Sequence, residues 1–148
     1  MQRRFDRRDL LRLAAGACAG GFVLPARAHE YYVPTLRISH PWCRATPAGA
    51  PNAVVCITFD EVRAADRLVW VETPVATSAE LFDGTVARPV DFAIASGRDT
   101  ELGEAGTVLR LTGLMQALEL GRSYPLRLVF AQGGEVAATL DVAYASLR

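Results

Sequence analysis

A chain of 148 residues, 51% of them apolar, has room for one domain with a packed core and none for a second. Its 16 basic and 16 acidic side chains balance, yet arginine is concentrated ahead of residue 29, so the rest of the chain is mildly acidic. The arginines beyond that point stand singly rather than in a stripe, which excludes nucleic acid as a partner.

Residues 1–28 have the build of a cleaved export signal. A basic start, "MQRRFDRRDLLR", precedes the uncharged run "LAAGACAGGFVLP" and then Ala26-Arg27-Ala28, whose small side chains suit a signal peptidase. Paired arginines ahead of two leucines in "DRRDLLR" match a twin-arginine signal. Cleavage after Ala28 makes His29 the first mature residue and places the protein in the periplasm. The uncharged run is shorter than the roughly 20 residues a bilayer needs, so no membrane span is expected in the mature chain. Cys18, in "AGAC", lacks the large aliphatic neighbour of a lipid-attachment site.

From residue 34 onward, apolar residues alternate with period two, the mark of half-buried strands. Leu36, Ile38 and Trp42 are expected on one face, as are Val55, Ile57 and Phe59, then Leu68 and Trp70. Leu126, Leu128 and Phe130 follow, and finally Val136, Ala138, Leu140 and Val142. Turn-forming stretches, "ATPAGAPN", "ASGRDTELGEAG" and "AQGG", separate the runs at spacings typical of an all-β sandwich or Greek-key barrel. "TGLMQALELG" reads equally as one helical turn or a crossing loop. The last hairpin is the clearest element, two alternating strands joined through Gly133-Gly134.

Three segments together resemble one family. They are "AHEYYVPTLRISHPWCRATPAGAPNAVVCITF", "ADRLVWVETPVATSAELF" and "LELGRSYPLRLVFAQGGEVAATLDV", covering nearly all of residues 28–143. In combination and order they are similar to the periplasmic copper chaperones called PCu(A)C. The resemblance implies a cupredoxin-like Greek-key β-sandwich over residues 29–148 and a non-enzymatic role. That role is copper trafficking toward cytochrome oxidase assembly, with a periplasmic or membrane copper-acceptor protein as partner. It also implies copper(I) held by two histidines and two methionines, a soft set suited to that ion. Here the first ligand position is Phe82, in "AELFDG", and Ala87 stands near where the first methionine is sought. No loop bearing His-x-Met remains between "GTVLRLT" and "GLMQALELG", and Met115 falls outside the ligand loop. The family's metal site is therefore expected to be degenerate, with copper as a cofactor in doubt.

The chain's two histidines, His29 and His40, remain as metal candidates. Cleavage would give His29 an α-amine beside its imidazole, a chelate for copper(II) that His40 could join. The plainer readings are a solvated terminus for His29 and a strand-end hydrogen bond for His40. Two other functions stay open: an interaction module on the same scaffold without metal, and a histidine-brace copper oxygenase. Hydrolase chemistry is disfavoured, because His40 is the one histidine anchored in the fold to serve as a base. Cys43 and Cys56 flank "RATPAGAPNAVV" symmetrically, so a hairpin centred on Gly49-Ala50 would let them bond, whereas a bulge or shifted register would leave two thiols. Trp42, Trp70 and Phe82 are assigned to the core, and Asp60, Glu61 and Asp66 to a solvated turn.

Overall fold

Strands are the regular elements of the computed structural model, which describes residues 29–144. In chain order they are β1 (Glu30–Val33), β2 (Leu36–Cys43), β3 (Asn52–Asp60), β4 (Asp66–Glu72), β5 (Ala76–Phe82) and β6 (Ala87–Arg88). Then come β7 (Phe92–Ile94), β8 (Thr100–Leu102), β9 (Val108–Leu114), β10 (Ser123–Phe130) and β11 (Gly134–Val142). The segment "TGLMQALELG" finishes β9 and continues as a crossing loop. The export signal expected over residues 1–28 lies outside the described residues. No helix among the described residues is long and apolar enough to cross a membrane.

The strands form one curled, mixed sheet in the order β6-β5-β9-β3-β2-β11-β10-β4-β7, with β1 added to β2 and β8 to β3. Neighbours pair antiparallel except β2 with β11, which run parallel through Asp141 opposite Trp42 and Val142 opposite Cys43. Curling brings the inner faces together around Phe59, Phe130, Leu68, Leu111 and Leu140, all 2% exposed or less. Phe59 meets the edge of Phe130 at 5.9 Å between ring centroids, a favoured aromatic geometry.

The alternation of β3, β10 and β11 lands on the core as expected, but two bulges reverse it elsewhere. In β2 the register shifts between Ser39 and Trp42. His40 sits at φ 48° and Pro41 has no N–H to donate, so the extra residue passes the core position from Trp42 to Cys43. In β4 the shift falls at Val69, between Leu68, opposite Phe130, and Trp70, opposite Val129. Val71 enters the core, and Trp70 is left 56% exposed rather than buried.

Asp66 also departs from expectation. It is 4% exposed, and its carboxylate accepts hydrogen bonds from Thr35 Oγ1 at 2.6 Å and from the backbone N–H groups of Arg67, Gln132 and Gly133 at 2.8 Å each. These bonds tie the β1–β2 turn and the start of β4 to the β10–β11 turn. Gly133 is required there, since a Cβ would lie 2.8 Å from both Thr35 Oγ1 and Val33 Cγ2. Gly134 supplies the positive φ, 81°.

Among the described residues the sheet does not close on itself. On the side away from β10, β4 is paired only through Asp66–Leu68, to β7. On the side away from β9, β5 is paired only at Leu81 and Phe82, to β6. The remaining edges, Val69–Glu72 and Ala76–Ala79, border a cleft of about 390 Å³.

Candidate functional site

The register brings together the two positions singled out at the family's metal site. Phe82 closes β5 and stands directly opposite Ala87 of β6, while Val108 of β9 faces Phe82 from the other side. Two rungs along, Glu80 pairs with Arg110. The guanidinium of Arg110 takes Glu80 Oε1 through Nε at 2.8 Å and lies over the Phe82 ring, its Cζ 4.1 Å from the centroid. A cation–π contact and an ion pair thus converge at this spot, and both charged side chains are only about a quarter exposed.

This corner does not fit copper(I). It offers neither imidazole nor thioether, and a permanent cation covers the one aromatic face. Phe82 is a half-buried platform for Arg110 rather than a core residue. Met115 lies at the far end of β9, its N–H bonded to Val75 O, with its side chain 70% exposed. Seven residues along a strand separate it from Val108, on the order of 20 Å.

His29 and His40 do come together in the backbone. The β1–β2 ladder extends by one rung, with the His40 N–H donating to His29 O at 2.9 Å. His29 Nδ1 lies 3.0 Å from Asp141 Oδ2 on β11, close in charge terms but misaligned for a hydrogen bond. Asp141 is held by Ser123 Oγ, which donates to its Oδ1 at 2.6 Å. His40 Nε2 is buried without a hydrogen-bond partner among the described residues. Among the described residues no three His, Cys, Asp or Glu side chains cluster closely enough to hold a metal ion by themselves.

The expected Cys43–Cys56 bond is not formed. Cys56 pairs with Trp42, and Cys43 with Val55, so the strands are centred on Gly49 and the two cysteines fall one residue out of register. Partners across a ladder share a face and neighbours alternate, so the thiols point to opposite sides of the sheet. Burial pushes both upward, Cys43 to about 12, with help from the nearby Cys56 and Asp141, and Cys56 to about 11, with help from Glu104 and Glu101.

Sequence reasoning missed Glu80, Arg110 and Asp141. The period of two in "AELF" is the signal that would have placed Glu80 on the same face as Phe82, but Arg110 joins them only through the β5–β9 register. Asp141 sits on the outward face of β11, and its approach to His29 depends on the parallel pairing of β11 with β2.

The architecture is that of a PCuAC domain, a cupredoxin-like β-fold. The copper-bound PCuAC domain from PmoF2 superposes with a TM-score of 0.70 at 23% identity, over 79% of this chain and 99% of that one. The apo PCuAC domain from PmoF1 gives 0.70 at 25% identity, over 79% and 100%. The solution structure of CuI-DR1885 from Deinococcus radiodurans gives 0.62 at 21%, over 80% and 81%. No curated protein matches the sequence significantly. The profile of the LpqE-like lipoprotein family matches residues 36–142, and the chain belongs to that family.

Proposed function

We propose that this chain is an exported, non-catalytic copper-handling protein whose family copper(I) site has been given over to the Glu80–Arg110–Phe82 contact. Its remaining metal affinity lies at the amino-terminal corner, where the α-amine and imidazole of His29, freed by cleavage after Ala28, hold copper(II) beside the Asp141 carboxylate. The observation that carries this reading is the position of His29, docked against Asp141 and bonded through its backbone to His40. A rigid scaffold behind a terminal chelate makes the site more than a loose end. The PCuAC-type fold supports copper trafficking to a periplasmic or membrane acceptor as the role.

The test is a titration of exported protein whose first residue is verified as His29 by mass spectrometry. Copper(II) should bind at 1:1, more weakly as pH falls because amine and imidazole must shed protons. His29→Ala or acetylation of the amino terminus should weaken it on the order of tenfold or more, while Met115→Leu changes nothing. Competition against a copper(I) chelator should show no tight site. Tight copper(I) binding that depends on Met115 and ignores His29 would falsify the proposal.

A second reading is an interaction module without metal, favoured by the guanidinium over Phe82, which fills the family position with a salt-bridged side chain. Protein purified from the exported fraction free of copper, and indifferent to copper(II), would establish it. A histidine-brace oxygenase would require reductant-dependent oxygen consumption, which is not expected.

A further inference from the structure

The cleft between the open edges of β4 and β5 is used by neither metal reading, since none of His29, His40, Phe82 and Ala87 lines it. Its volume, about 390 Å³, falls in the range of small-molecule sites. Chain connectivity stoppers both ends. Thr73 begins the short link from β4 to β5, and Pro89-Val90 crosses from β6 toward β7. A through-going peptide strand is therefore disfavoured, whereas a compact ligand entering from outside is not. Leu111, fully buried, and Val71 give the cleft an apolar lining.

Two features of the wall set the ligand's chemistry. Trp70, turned outward by the Val69 bulge, leaves more than half its surface exposed at the cleft. Among the described residues Glu72 is the one charged residue in the lining, and it stands two residues from Trp70, its Oε2 3.5 Å from the indole Nε1. Arg127 contacts Glu72 at 2.7 Å but is shared with Glu135, so two carboxylates surround one guanidinium and the group keeps a net negative charge. The hydroxyls of Thr73, Thr77 and Ser78 are already engaged with Pro125 O, Thr112 O and Thr112 Oγ1. The negative face of an indole beside unbalanced carboxylates attracts a cation and repels an anion.

We infer that this cleft binds a small organic cation with an apolar body, such as an alkylated ammonium, seated between the open β4 and β5 edges with its charge at Trp70 and Glu72.

The full mature chain would be titrated with hexyltrimethylammonium chloride and, at equal ionic strength, with sodium hexanoate, following heat and tryptophan emission. Trp42 and Trp70 are the two tryptophans, and Trp42 is 8% exposed, so an emission change reports on Trp70. The expected result is saturable binding of the cation alone, weakened at least about fivefold by Glu72→Gln and by Trp70→Phe in the calorimetric measurement. Glu72 is exposed, so its replacement leaves the fold intact to be tested. The inference is overturned if the cation gives no saturable signal, if hexanoate binds as tightly, or if both variants bind the cation unchanged.

Discussion

Asp66 shows how one side chain can hold three segments in register. Burial alone would raise its pKa, and that is the largest single influence. The hydrogen bonds from Thr35, Gln132, Arg67 and Gly133 together outweigh it, holding the carboxyl below its ordinary 3.8. Because the folded value is depressed, the stability this gives is complete above the unfolded value and is lost as pH falls through the folded one. Asp66→Asn keeps the shape but turns an amide toward backbone N–H donors. It should cost about 3 kcal/mol at neutral pH. Urea denaturation at pH 7 and at pH 3 would check both points: the gap between wild type and variant should narrow in acid. An equal gap at the two pH values would mean that charge is not what the pocket holds.

At the scale of the element, the bulges in β2 and β4 decide what each strand shows to solvent. One extra residue at His40-Pro41 sends Cys43 into the core, away from the face that carries Cys56. Natively folded protein should therefore keep Cys43 and Cys56 as free thiols that resist labelling until denatured, since burial holds both out of the reactive thiolate form. Quantitative alkylation before and after guanidinium would show this, and reductant should leave the melting temperature unchanged. A disulfide found in the folded protein would require the β2–β3 register to differ by one. These bulges also mark where the sequence stops being readable. Alternation locates β3, β10 and β11 because each keeps period two without interruption. Pro41 inside an apolar run is a local hint of irregularity, as a proline cannot donate within a sheet. Nothing in the vicinity of Val69 announces that Trp70 turns outward.

For the whole molecule, the same division holds at the candidate sites. Resemblance locates Phe82 and Ala87, and the structure makes them cross-strand partners. Arg110 and Asp141 are invisible in the sequence because strand partners far apart along the chain carry them there. The cleft is equally hidden, since it arises where short β6 and β7 leave longer neighbours unpaired. A shape made by incomplete pairing has no sequence period.

The parallel contact of β2 with β11 also shapes how the chain reaches this structure. Cys43 cannot find Val142 until β11 itself is available. Closing so long a loop costs entropy before any pairing rewards it, so folding belongs in the slower range of milliseconds to seconds. An emerging chain halted at Gly133 would have β10 without its hairpin partner, and would leave Trp42 and Cys43 of β2 without their parallel neighbours. Such a truncation should give a protease-sensitive chain with no cooperative melting. Synthesis must thus pass β11 before this fold becomes available, and until then the nascent chain needs protection from aggregation more than it needs any ligand.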